Sequence, residues 1–145
     1  MERTLMIVKP DGVEKRLIGE ILRRVEAAGL TIKALKMIQL DRNAAGRFYA
    51  VHREKPFYHS LINYMTSGPV VVTALDGANA VARLRNLIGA TNPDKAEEGT
   101  IRRLYADSIE HNVVHGSDSP ENGLIETSFF FGTRDLEMTE PLAME

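Results

Sequence analysis

The sequence predicts an α+β fold, a four-stranded antiparallel sheet layered with helices. Three observations predict it. Short apolar runs of strand type alternate with stretches of helical periodicity. Their order is β-α-β, short helices, β-α, loop, β-α, which makes two βαβ-like halves. No internal repeat, low-complexity segment or linker interrupts the chain, so its 145 residues fit one domain, 1–145. Together these give the βαββαβ order of a ferredoxin-like sandwich, with helices over one sheet face and a loop insertion before the last strand.

The elements follow in order. Thr4 to Lys9 is a mostly apolar run stopped by Pro10-Asp11-Gly12, a buried strand and then a turn. Ile18, Ile21, Leu22 and Val25 recur at helical spacing, and Gly29 stands where a helix C-cap belongs. Thr31 to Leu40 is rich in Ile, Leu and Met and reads as a strand, although it alternates imperfectly. Asp41 is placed to cap a short helix through Tyr49. Phe57 to Thr66 reads as another helix, bounded by Pro56 and by Ser67-Gly68-Pro69.

Val70 to Leu75 is continuously apolar, as a central strand is, and Asp76-Gly77 turns the chain. Ala80, Leu84, Leu87 and Ile88 form a helical stripe ending at Gly89. Residues 89–99 are polar and carry Pro93, which makes them the candidate insertion. Asn112 to His115, with Val113-Val114, is a short strand. Ser119-Pro120-Glu121 starts a helix with a cap, a proline in the first turn and an acid at the positive dipole end. Leu124, Ile125 and Phe129 give that helix an apolar face, and residues 132–145 form a polar, irregular tail.

Composition narrows the function classes. The chain is 43% hydrophobic and 26% charged, as soluble globular proteins are. Eighteen basic and 20 acidic residues leave a net charge of −2, with no basic bias toward nucleic acid as the main partner. The absence of cysteine excludes disulfides, thiolate metal sites and a thiol nucleophile. The apolar run Leu5 to Val8 is too short for a signal peptide, and no segment approaches the ~20 residues of a membrane span. The expected setting is cytoplasmic.

The segment Asn112-Val-Val-His115-Gly116-Ser117-Asp118-Ser119-Pro120 carries the chemistry. It reads as strand, tight turn, helix N-terminus. Such a terminus favours phosphate, and imidazole with its pKa near ~6.5 is largely a neutral nucleophile at cellular pH. The pattern equally suits a histidine that ends a strand and hydrogen-bonds locally. His111 and His115 are four apart, but along a strand that spans roughly 13 Å, too far for one ion.

A nucleophilic imidazole works best in one tautomer, which calls for an orienting carboxylate. Glu126 lies seven residues past Ser119, about 10 Å back along a helix, and can come level with His115. It equally suits a solvated helix acid. Positive charge for phosphates would come from Lys9 at a strand end, Arg85 near a helix end and Arg102 after Gly99-Thr100; each also suits a surface charge. Neither a Gly-x4-Gly-Lys-Ser/Thr loop nor the protein-kinase motif set is present.

Six blocks occur in register: Lys9-Pro10-Asp11-Gly12, Lys55-Pro56-Phe57-Tyr58, Ser67-Gly68-Pro69-Val70, Gly89-Ala-Thr91-Asn92-Pro93, Gly99-Thr100-Ile101-Arg102 and Asn112 to Ser119. With them the chain resembles nucleoside diphosphate kinases from about residue 2 to residue 131. The resemblance implies ping-pong transfer of the γ-phosphoryl group of a nucleoside triphosphate to a nucleoside diphosphate, through phosphohistidine at Nδ1 of His115. It gives Glu126 and Ser117 as hydrogen-bonding supports of that ring. Lys9 and Tyr49 are implied beside the transferred group, with Lys9 and Asn112 reaching the ribose 3′-hydroxyl.

By the same resemblance Arg85, Thr91 and Arg102 bind the nucleotide phosphates. Phe57 stacks on the base, with Ile109 on its other face where the family often has valine. Stacking with few edge hydrogen bonds accounts for broad base tolerance. Mg²⁺ is expected on nucleotide phosphates and water, with no direct protein ligand. The partners expected are nucleoside tri- and diphosphates such as ATP and GTP, and copies of the chain in a homotetramer or homohexamer. The tail 132–145 diverges from the family. A non-catalytic nucleotide-binding relative would lack some of these matched residues, and here they are all present.

Overall fold

The computed structural model describes residues 1–137. Among them, four strands form one sheet in the order β2-β3-β1-β4. These are β1 (Glu2–Val8), β2 (Thr31–Ile38), β3 (Val70–Gly77) and β4 (Val114–Gly116), and every neighbouring pair is antiparallel. This is the expected βαββαβ sandwich. No helix among the described residues is long and apolar enough to cross a membrane.

The central strands explain the layering. Leu5, Met6, Ile7 and Val8 of β1 are all fully buried. Successive side chains point to opposite faces, so both faces must be covered. Leu5 and Ile7 join a core with Ala45, Ile62, Met65, Phe130 and Leu136. Met6 and Val8 join a second core with Ile21, Val25, Leu84 and Ile88. Helices α3 (Arg42–Phe48), α4 (Tyr58–Met65), α7 (Pro120–Phe130) and α8 (Thr133–Glu137) supply the first core. Helices α2 (Ile18–Ala27) and α5 (Ala80–Ile88) supply the second. The expectation of helices over one face is therefore corrected to both.

Other corrections are local. Pro10-Asp11-Gly12 begins a short helix, α1 (Pro10–Glu14), because proline in the first turn suits helix entry as well as it suits a turn. Asp76 and Gly77 end β3, and the chain reverses at Ala78-Asn79. The strand expected at Asn112 to His115 runs Val114–Gly116. A further helix, α6 (Ile101–Tyr105), is capped by the Thr100 hydroxyl on Arg103 N–H. The tail begins with helix α8 rather than irregular chain, and its residues 138–145 lie outside the described ones.

The face of α7 is the largest correction. Leu124 and Ile125 are 56% and 62% exposed, and Phe129 is partly exposed. Gly123, Thr127 and Phe130 are the buried positions. The helix lies so close to β1 that a Cβ at Gly123 would fall 2.1 Å from the Arg3 carbonyl oxygen. Small residues at 123 and 127 permit this approach, and size outranks hydrophobicity at such a contact. The close packing brings Glu126 back over the end of β4.

Candidate active site

His115 is the middle residue of β4, paired with Ile7. Its ring is one-fifth exposed, and its Nε2 lies 2.8 Å from Glu126 Oε1. With the ring proton on Nε2, this carboxylate accepts it and the Nδ1 lone pair is left open. The Ser117 hydroxyl donates to the same Oε1 at 2.8 Å and accepts the Leu5 N–H at 3.0 Å. A chain of bonds from the β1 backbone therefore fixes the carboxylate that fixes the imidazole. Phe48 packs edge-on to the ring, with centroids 5.8 Å apart.

Lys9 leaves the end of β1 and is almost completely buried. Its Nζ donates to Asn112 Oδ1 at 2.7 Å. Burial, and then the nearby Arg102 charge, bring its pKa down from 10.5 to about 8, against the pull of Asp11. The Asn112 amide in turn reaches the Thr91 carbonyl at 3.4 Å. Thr91 itself is exposed.

Arg102, on α6, is pinned by three backbone carbonyls. Its Nη2 donates to Val114 at 2.7 Å, Nη1 to Gly89 at 3.1 Å and Nε to Asn112 at 3.4 Å. Burial, and then the charge of Arg85, lower its pKa to about 10. The two guanidiniums line one cleft with Ile88, Gly89 and Gly116. Like charges gathered in a half-dry cleft repel, and a polyanion relieves that repulsion. The fold therefore gathers positive charge at Gly116, the neighbour of His115 in β4, despite its net negative charge.

Tyr49 is buried next to Phe48, and its hydroxyl has no hydrogen-bond partner among the described residues. Burial, and then the Glu126 charge, push the phenol well above its ordinary range, so it stays a neutral donor. Phe57 and Ile109 stand apart from the polar network, each about half exposed. The loop carrying Ile109 is tied to α4 by the Ser60–Glu110 hydrogen bond and by the stacking of Tyr64 on His111 at 4.5 Å. Phe57 is the N-cap of that helix, so both apolar residues border the same loop–helix junction.

The structure also shows residues that sequence reasoning missed. Asp11, 9% exposed, accepts both the Tyr64 hydroxyl and the Val113 N–H. Val113 sits at φ 74°, a conformation costing a β-branched residue of order 1–3 kcal/mol. The Pro-Asp-Gly signal and its matched block marked Asp11 without showing these contacts, and Val113 was read as a strand residue where the structure has a turn.

Comparison with known proteins bears on this geometry. The nucleoside diphosphate kinase family model matches residues 2–136. A nucleoside diphosphate kinase of a Nitratiruptor species is 57% identical over 136 residues, covering 94% of this chain and 99% of the relative. One from Desulforapulum autotrophicum is 56% identical with the same coverage. Among solved structures, the Aquifex aeolicus nucleoside diphosphate kinase superposes with a TM-score of 0.91 at 43% identity, covering 93% of this chain and 98% of that one. The Halobacterium salinarum enzyme, solved in complex with CDP, gives a TM-score of 0.91 at 39% identity, covering 97% and 93%. With a match in sequence and in fold over nearly the whole chain, the chain belongs to the nucleoside diphosphate kinase family and is a phosphotransferase.

Proposed function

We propose that His115 carries the phosphoryl group in a ping-pong exchange between nucleoside triphosphates and diphosphates. The observation that carries this reading is the Nε2 contact of His115 with Glu126. It leaves Nδ1 free to attack a γ-phosphorus, with the nucleoside diphosphate as leaving group. The ring becomes a phospho-imidazolium, whose Nε2–H stays on the Glu126 carboxylate and whose positive charge the carboxylate stabilises. A second diphosphate then attacks the same phosphorus and restores the neutral ring.

Phosphoryl transfer needs little from the protein beyond positioning and charge compensation. Arg102, held by three carbonyls, and Arg85 beside it are suited to the phosphates on one side of the histidine. Lys9 and the unpaired Tyr49 hydroxyl are suited to the transferring group, and Lys9 with Asn112 to the ribose 3′-hydroxyl. Thr91 adds a phosphate donor from the exposed loop. Phe57 and Ile109 supply apolar faces for the base with no edge-reading groups, which supports broad nucleotide use.

Among the described residues no group of three or more His, Asp or Glu side chains is arranged to hold a metal ion. The Lys9, Arg85 and Arg102 side chains suited to the phosphates are cationic and do not fit a protein-held cation. We read Mg²⁺ as entering on the nucleotide phosphates, where it neutralises charge. Residues 1–145 are taken as one catalytic domain with 132–145 as its divergent tail, working in the cytoplasm as a homotetramer or homohexamer; sedimentation of the purified protein tests the assembly.

The decisive experiment is phosphorylation with γ-labelled ATP. Wild type is expected to yield an acid-labile, base-stable phosphoprotein that passes its label to GDP. His115→Ala is expected to lose both label and exchange, and an active His115→Ala enzyme would overturn the reading.

A further inference from the structure

Asp11 is a buried carboxyl that the reaction described above does not use. Its Oδ1 accepts the Tyr64 hydroxyl from α4, and its Oδ2 accepts the Val113 N–H at 3.1 Å. Burying a carboxyl is tolerated where both oxygens find donors, as here.

What Asp11 holds is a strained turn. Val113 lies at φ 74°, and the Val114 N–H donates back to the Asn112 carbonyl at 2.8 Å. This three-residue γ-turn is rare, and rarer on a β-branched residue. It persists only where surrounding contacts over-determine it. The contacts come from residues 9–12. The Lys9 N–H donates to the Val113 carbonyl at 2.8 Å, and Asp11 takes the Val113 N–H. Gly12 leaves the room, since a Cβ there would fall 3.0 Å from the Val113 oxygen and 3.1 Å from its Cγ1. The Lys9-Pro10-Asp11-Gly12 segment thus grips both polar groups of one peptide residue.

Val113 lies between two residues of the site. Asn112, immediately before it, meets Lys9 Nζ at 2.7 Å. His115, two residues after it, meets Glu126 at 2.8 Å. Relaxing Val113 to negative φ redirects the chain on both sides and takes both side chains off their partners.

We infer that Asp11 is a positioning residue for phosphoryl transfer: braced by Tyr64, it holds Val113 in the left-handed turn that sets Asn112 on Lys9 and His115 on Glu126. This rests on the reading of His115, Lys9 and Asn112 as the reacting site. The mechanism is geometric and therefore separable from a general contribution to stability.

The test is a double-mutant cycle on ATP–GDP exchange. Asp11→Ala, which removes both acceptor oxygens, is assayed in the wild-type and Val113→Gly backgrounds. Glycine takes positive φ without strain, so it needs no clamp. In the wild-type background Asp11→Ala is expected to lower kcat about 10- to 100-fold, with each nucleotide KM changed by less than about threefold. In the Val113→Gly background the loss is expected to shrink by at least about fivefold. An equal loss in both backgrounds, or an unaltered kcat, overturns the inference. Where Asp11→Ala does not fold, Tyr64→Phe goes through the same cycle, with a smaller kcat loss expected in the wild-type background and none in Val113→Gly. His115→Ala, assayed alongside, keeps the two readings apart. If it retains exchange, the phosphohistidine reading falls; if it loses exchange while Asp11→Ala keeps full kcat, only the role of Asp11 falls.

Discussion

The two outer strands of the sheet are built to opposite rules. β2 is eight residues long and pairs with β3 along its length, with one irregularity between Ile32 and Ala34. β4 is three residues long and pairs with β1 only at Val114, His115 and Gly116. The solvent-facing residues of β2 include Leu35 and Met37, and none of the site's residues lies on it. Around β4 lie the buried polar side chains of Lys9, Asp11, Asn112 and Ser117. The backbone groups of a long ladder are satisfied by one another. A short strand leaves its flanking chain to be satisfied by side chains, and those side chains include residues of the proposed site. β2 builds stability, while β4 gives up regular pairing for placed charge and a strained turn.

That contrast can be broken most sharply at the centre of β4. His115→Ala is expected to reduce exchange to background and leave the melting temperature within about 2 °C, because a partly exposed side chain is removed. A fall in stability comparable to a core deletion would show that β4 is structural as β2 is.

Lys9→Gln comes next. It keeps a donor for Asn112 and removes the charge, so exchange is expected to drop about 10²- to 10³-fold. Stability should move the other way. The folded pKa of about 8 lies below the ordinary 10.5, so the charged lysine opposes folding. That penalty is full below pH 8, where both states are protonated. It fades between pH 8 and 10.5, where the unfolded chain holds a proton the fold has released. The variant's gain, up to about 3 kcal/mol, should accordingly be largest below pH 8 and shrink toward pH 10.5 in chemical denaturation. Wild-type kcat/KM should decline above about pH 8 as Lys9 of the free enzyme loses its proton.

Glu126→Gln is expected to cost less, about 10- to 100-fold in kcat, since an amide oxygen can still accept the Nε2–H but brings no charge to the phospho-imidazolium. Pre-steady-state labelling with ATP checks that the loss lies in the chemical step. The smallest effect on catalysis is expected on the β2 side. Leu75, fully buried and paired with Ile32, should cost about 2–5 kcal/mol of stability on mutation to alanine while kcat at 20 °C stays within about twofold. A large kcat loss there would show that the two edges are coupled.

Much of this contrast is visible in the residues, and the remainder has a physical reason for being hidden. Asp41 and Ser119 cap the helices expected of them, because capping is decided within three residues: the carboxylate meets Ala44 N–H and the hydroxyl meets Asn122 N–H. The central position of β3 followed from its unbroken apolar run. Helix α6 was not visible, being five residues long with no apolar periodicity to detect. Leu124 and Ile125 misled, because the periodicity of α7 is dominated by residues that face outward. Its true contact uses Gly123 and Thr127, whose value lies in being small.

The sequence by itself determined the order of elements, the blocks around Lys9, Phe57, Thr91, Arg102 and His115, and the nomination of Glu126 as partner to the histidine. These are properties of neighbours along the chain, or of fixed rises per residue, and they survive without tertiary knowledge. Only the tertiary structure decided that both sheet faces are covered, that three carbonyls aim Arg102, and that Asp11 and Tyr64 clamp Val113. Each of those depends on contacts between residues far apart along the chain. Their energies come from burial and from hydrogen bonds that exist only once the chain has closed on itself. The short strand β4 lies between the two: its valines were legible as a strand, but its length was set by residues 9–12, which bend the chain at Val113 and end the pairing there.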